Sequence, residues 1–312
     1  MEDVTGEFPQ GQVLEARDRG AAISRVPYLT DADLDVTPPA RDPRRVHLWR
    51  SVRELFGAYE LLFTLTERDL RVRYKQAFLG ALWAILQPLF LMVIFSVVFG
   101  KIARVGSEGV PYPIFSYVAL VPWGFFSNSV NYATGNITSN AWMIRKVYLP
   151  RDVLPLSAML SAFADFLASG AILLVMLFAY GLTPRLTWLA YPILFGILML
   201  LAVAAAYAVS MVTVYFRDTR YGIPTLLQVL MYATPVAYPL AKAQAALSPG
   251  LRRAYFYLNP FVPIVDGFRR ILIHGQWPQW GPLGAAAAVG LVSLYLTYRR
   301  YKRLDPTFAD VI

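Results

Sequence analysis

The sequence predicts an all-α polytopic membrane protein, and three observations predict it. Apolar residues make up 57% of the 312 residues and charged residues only 16%, against roughly 45–50% and about 25% in ordinary soluble domains. Charge-free runs recur along the chain, each long enough for the roughly 20-residue helix that crosses about 30 Å of hydrocarbon. Clusters of Lys and Arg separate alternate runs, as they do on the cytoplasmic side of a membrane protein. There is no cysteine, and the two histidines are His47 and His274. A disulfide framework, a thiolate metal site and a Cys nucleophile are therefore excluded, and no metal is expected.

Residues 1–45 hold nine acids and six arginines, a net charge of −3, while the remainder of the chain is +12. Pro38-Pro39, scattered charge and the lack of an apolar period predict a disordered cytoplasmic tail. No positive start leads into an apolar run, so no cleavable signal peptide is expected. Asp31-Ala32-Asp33-Leu34-Asp35 has Val36 where a calcium loop wants Gly, and Pro38-Pro39 follows at once. It reads as a solvated acidic stretch. Residues 46–75 place Leu55, Phe56, Tyr59, Leu62, Phe63 and Leu70 near one side of a helix, with most charges elsewhere. That pattern predicts an amphipathic helix lying in the cytoplasmic interface, either a plain anchor or a lever between a soluble partner and the first span.

The transmembrane domain, 76–312, divides into spans at about 77–100, 114–134, 153–180, 187–215, 221–240 and 283–300. Six spans put both termini on one side. Arg68, Arg71, Arg73 and Lys75, then Arg145, Lys146 and Arg151, then Arg217 and Arg220, then Arg299, Arg300, Lys302 and Arg303 all fall on that side, which makes it cytoplasmic. Residues 241–280 are aromatic, proline-rich and too broken to span. They are expected to form two short re-entrant outer helices joined near Asn259-Pro260, a geometry tolerated only where backbone is buried in protein or lines a wet cavity.

No G-x-S-x-G, H-E-x-x-H or phosphate-cradling loop occurs; Gly100-Lys101 is followed by Ile102, and Phe95 stands where that loop wants Gly. The chain is thus not expected to be an enzyme by itself, nor to hold a cofactor. Basic residues serve topology rather than nucleic acid. Asp165 is the one acid well inside a span. It faces either a wet pathway or a neighbouring hydroxyl in a packed, Ser-rich stretch (Ser157, Ser161, Ser169). Aromatic faces stack on sugar rings while amides and hydroxyls bond their OH groups. Trp83, Tyr117, Trp123, Phe126, Asn128, Tyr132, Gln228, Tyr232 and Tyr238 are therefore candidates to line a carbohydrate path. The competing reading for aromatics near span ends is interface anchoring.

Arg71-Val72-Arg73-Tyr74-Lys75 leads into Leu79-Gly80-Ala81-Leu82-Trp83 and Gln87-Pro88-Leu89. Ile144-Arg145-Lys146, Leu149-Pro150-Arg151, Tyr215-Phe216-Arg217-Asp218, Thr234-Pro235-Val236, Tyr238-Pro239, Asn259-Pro260-Phe261, Asp266-Gly267-Phe268-Arg269 and Phe308-Ala309-Asp310 follow in order. Over residues 50–312 this ordered set resembles the ABC-2 type permeases that export O-antigen, capsule or teichoic acid. The resemblance implies a homodimer bound to two ATP-binding subunits, which carry ATP and magnesium, in a bacterial plasma membrane. A lipid-linked glycan passes between the two permeases. It further implies a gate helix at 46–75 and a coupling helix at about 140–152, with Ile144, Arg145, Lys146, Leu149, Pro150 and Arg151 at the ATPase. Arg71, Arg73 and Lys75 become candidates for the lipid pyrophosphate. The alternatives are an ABC-2 drug or lipid exporter and, further off, a membrane transferase acting on lipid-linked sugars.

Overall fold

The computed structural model describes residues 57–75, 77–146 and 150–311. The acidic tail, the start of the amphipathic helix and Leu149 lie outside them. All regular structure among the described residues is helical: α1 (Tyr59–Tyr74), α2 (Trp83–Phe95), α3 (Tyr112–Ala133), α4 (Asn136–Ser139), α5 (Ala141–Lys146), α6 (Val153–Ala179), α7 (Tyr191–Tyr215), α8 (Thr219–Ala233), α9 (Leu240–Ala246), α10 (Pro249–Leu258), α11 (Phe261–Arg269), α12 (Trp280–Leu304) and α13 (Phe308–Val311). A 3₁₀ turn, Gly80–Leu82, leads into α2, and a π turn, Ser96–Ile102, carries it on.

Four of these helical segments are long and apolar enough to cross a membrane: Gly80–Ile102, Val153–Ala179, Leu186–Tyr215 and Trp280–Thr307. The predicted second and fifth spans differ from them in kind. Helix α3 has 22 residues, but Pro122, Ser127, Asn128 and Asn131 dilute its apolar run. It is the central helix, with Ile114, Phe115, Tyr117, Val118 and Ala119 fully buried against α6 and α7. Helix α8 has only 15 residues, about 22 Å of rise.

The early end of α8 has a local cause. Pro235 disfavours helical backbone in the residue before it, and Thr234 is extended (φ −104, ψ 144). The fifth helix therefore stops at Ala233 instead of continuing to 240. The irregular chain beyond it is buried, and Arg269 satisfies its carbonyls. The guanidinium donates to Pro235 O (2.6 Å), Val236 O (2.6 Å) and Tyr238 O (3.2 Å), and lies 3.7 Å over the Phe115 ring. A buried cation is tolerable when dipoles and an aromatic face replace its water. Three short helices, α9 to α11, fill residues 240–269 where two were expected, with the break between α10 and α11 at Asn259-Pro260.

The described part of the amphipathic helix packs along α6. Leu65 of α1 is buried in the cluster that holds Val153 and Leu154. Ser157 Oγ donates to Asp69 (3.2 Å), and Tyr74 reaches Asp165. Successive turns of α1 thus meet successive turns of α6, so the two helices run side by side in the same direction. A helix with polar groups on both sides can do this when the neighbour offers polar partners, and α6 offers Ser157 and Asp165.

Each end of the bundle is tied by polar contacts. At the α5 end, Tyr301 donates to Arg151 O (2.9 Å), Arg151 pairs with Asp305 (3.3 Å), and Lys302 pairs with Asp152 beneath Tyr207 and Tyr298. At the opposite end His274 Nε2 meets Glu108 at 2.9 Å. Between α3 and α4, Gly135 has φ +77, and a Cβ there would come within 2.7 Å of the Arg220 guanidinium. That residue must be Gly for the chain to turn so tightly under Arg220.

Candidate functional site

Helix α6 carries Ser157, Ser161, Asp165 and Ser169 at four-residue spacing, so all four share one face. That face holds the beginning of the chain's membrane domain. Pro88 inside α2 has no N–H to give the carbonyl of Ala84. Ser169 Oγ lies 2.9 Å from that carbonyl and 2.9 Å from Asp165 O on its own helix, so its one proton is shared between the two and can stand in for the missing donor. One turn earlier, Asp165 receives Tyr74 (2.6 Å to Oδ1) and Tyr132 (2.7 Å to Oδ2). Arg73 Nη1 sits 3.7 Å from Oδ2, with its guanidinium 3.3 Å above the Tyr132 ring. Three elements, α1, α3 and α6, therefore meet at one carboxylate. Burial, reinforced by the Asp165 carboxylate, pushes the Tyr74 hydroxyl up to about 12. It keeps its proton and remains a donor at any physiological pH.

Asp165 also lines a cleft of about 180 Å³ between α2, α3, α6 and α8. Gln87 and Asn128 face it, together with Ser127 and the aromatic Trp123, Phe125 and Phe166. Neither amide side chain has a hydrogen-bond partner among the described residues. Two free amides, a carboxylate and aromatic walls match a ligand with many hydroxyls and some C–H surface. Among the described residues no group of three or more His, Cys, Asp or Glu side chains is placed to hold a metal.

The sequence-derived path residues do not share one surface. Tyr117, Trp123 and Phe126 are buried inside the protomer. Tyr117 is bonded to Ser169 O at 3.4 Å, and Phe126 packs 4.3 Å from Phe261. Trp83, Gln228 and Tyr232 are exposed on α2 and α8. Tyr132 is committed to Asp165, and Tyr238 donates to Tyr232 O at 2.8 Å. Only Trp123 and Asn128 of the set line the cleft. Gln87 was missed as a site residue, although an amide one position from a mid-helix proline is a visible signal.

The basic candidates divide in the same way. Arg71 pairs with Glu67 on its own helix and stays exposed, as does Lys75. Arg73 is turned inward on Asp165 and is not a free entry cation. In the segment expected to couple, Arg145 and Lys146 are exposed, while Ile144 is buried. Pro150 is half-buried, and Arg151 is tied to Asp305 rather than presented to a partner. Trp142, 62% exposed beside Arg145, was not anticipated.

Residues 60–273, which run from α1 to the π turn that follows α11, match the ABC-2 type transporter family. The chain belongs to that family. It is 33% identical over 230 residues to the O-antigen export system permease protein RfbA of Myxococcus xanthus, covering 73% of this chain and 86% of that protein. A second O-antigen export system permease protein RfbA, from Klebsiella pneumoniae, is 31% identical over 218 residues, 70% of this chain and 82% of its own. The polysialic acid transport protein KpsM of Escherichia coli is 25% identical over 210 residues, 67% and 79% of the two chains. The ABC-2 match begins one residue into α1, so α1 is part of the family domain and not an appendage to it.

Proposed function

We propose that this chain is the permease subunit of an ABC exporter that moves a lipid-linked polysaccharide across the bacterial plasma membrane. The observation that carries the reading is the 33% identity, over most of both chains, to a protein named as an O-antigen export permease. The cleft fits the same chemistry, since free amides and aromatic walls suit hydroxyl-rich polymers better than apolar drugs. In this reading α2, α3, α6, α7, α8 and α12 cross the bilayer and both termini are cytoplasmic. Two copies pair, and the exposed Trp83, Gln228 and Tyr232 face the passage between them.

The chain has no phosphate-cradling loop, so the work of transport is assigned to two copies of a separate nucleotide-binding subunit carrying ATP and magnesium. Trp142, Arg145 and Lys146 offer that subunit an aromatic anchor and two exposed cations without an ion pair among the described residues, Trp and Arg being residue types enriched at docking surfaces. Ile144, buried below them, transmits the push into the cluster of Leu65, Leu154 and Tyr301. Arg145→Glu with Lys146→Glu is expected to cut glycan export at least tenfold while the subunit still inserts and still accumulates. Export assayed in vesicles, with the ATPase subunit counted by co-purification, checks this. Undiminished export would remove α5 from the docking surface, and stimulation of ATPase by amphiphiles but not by lipid-linked glycan would overturn the substrate class.

A further inference from the structure

We propose that Arg73 and Asp165 form a latch that positions α1 on the bundle while the passage is shut, and that α1 leaves Asp165 when the passage opens. The proposal rests on the permease reading. It is argued from how the contacts are distributed among elements. Arg73 and Tyr74 are neighbours at the end of α1, so one displacement of α1 withdraws both from the carboxylate. Tyr132 belongs to α3 and stays behind as a donor. Asp165 also faces the cleft, where water or the hydroxyl groups of a passenger can replace what α1 takes away. The carboxylate is thus provided for in both arrangements, which is what a two-position device needs.

The cation is equally able to leave. Its Nη1 is buried and makes no hydrogen bond, so attraction across 3.7 Å and stacking on Tyr132 hold it, without a bidentate clamp. The other polar ties from this unit to α6, Ser157 to Asp69 and Ser169 to the Ala84 carbonyl, are single hydroxyl contacts. Among the described residues the Arg73–Asp165 pair is the only ion pair between α1 and the rest of the bundle. The pair is therefore the charged tie that, with the Tyr74 hydroxyl, holds the end of α1 on α6, while Leu65 packs its earlier turns. Because few residues separate the end of α1 from the Gly80–Leu82 turn that leads into α2, an unseated α1 also frees the head of the first span.

The chain contains no native cysteine, so spin labels can be placed at will. Labels at Val72→Cys and Leu167→Cys, both on exposed positions, report the α1–α6 distance in the complex with its ATPase reconstituted in lipid. ATP trapping is expected to shift that distance by about 5 Å, one helical turn. Asp165→Asn and Arg73→Gln are each expected to show the shifted distance without nucleotide, and Arg73→Lys to keep the resting one. An unchanged distance on trapping, or a resting distance in both charge-removing variants, overturns the latch. Loss of folded protein in Asp165→Asn with a resting distance in Arg73→Gln assigns the pair to packing alone and also overturns it. The readout does not depend on the glycan, so a shift seen in a complex that exports no glycan would reject the substrate reading and leave the latch standing.

Discussion

At the scale of single residues, the contact between Ser169 and the Ala84 carbonyl shows how one substitution explains another. A proline inside a helix leaves one carbonyl without its partner on that helix, here the carbonyl of Ala84 at the wall of the cleft. Ser169 supplies the donor from the neighbouring helix. Ser169→Ala is expected to lower stability by about 1 kcal/mol, the net worth of a hydrogen bond whose loss strands a buried acceptor. Pro88→Ala should return the N–H to α2, so the double variant should lose little more than Pro88→Ala alone. Thermal unfolding of the detergent-solubilised protein, run as a double-mutant cycle, checks this. Additive losses would show that Ser169 acts on something other than the proline gap. The serines at four-residue spacing were visible in the sequence as a polar stripe. Their partners were not, because Ala84 and Arg73 are 85 and 92 residues away along the chain from Ser169 and Asp165, and one amphipathic pattern does not say which other pattern it faces.

At the scale of elements, α8 and α11 depend on each other through Arg269. The end of α8 exposes carbonyls that α11 must satisfy, and α11 can place a fully buried cation only because those carbonyls are there. Arg269→Met is expected to cost about 3 kcal/mol or more, since it strands several buried acceptors at once. Arg269→Lys should fall between, because one ammonium cannot reproduce the planar fork that reaches Pro235, Val236 and Tyr238 together. Faster proteolysis within residues 240–258, with the same loss in thermal stability, is the expected signature. Normal stability in Arg269→Met would mean that water already reaches these carbonyls. Local chemistry made the break at Asn259-Pro260 readable from the sequence, whereas the fifth span drawn to 240 passed over the break that Pro235 imposes at Ala233. The burial of α3 was not readable, for its Tyr117, Trp123 and Phe126 have the composition of a sugar-binding wall and take their place in the core only from long-range packing.

At the scale of the whole molecule, the demanding question is whether α8 crosses the bilayer. Its 15 residues rise about 22 Å, short of the roughly 30 Å that hydrocarbon presents. Length alone would deny it a crossing, and among the described residues four segments pass on length and apolar content. The buried stretch from Thr234 to Pro239 changes the account. Its carbonyls are satisfied by protein, so it can complete the passage at membrane depth without being helical. A crossing at α8 also keeps the clusters at Arg145 and Lys146, at Arg217 and Arg220, and at the end of α12 on one side. Without it the last cluster would face outward. Single cysteines in this cysteine-free chain separate the alternatives. Asp218→Cys, before α8, is expected to react with an impermeant maleimide only after the cells are opened, whereas Ser248→Cys, at the head of α10, should react in intact spheroplasts. Labelling of both positions under the same condition would mean that α8 turns back within the bilayer, and then the two termini would lie on opposite sides and the C-terminal clamp on Arg151 could not stand beside an ATPase docked at α5.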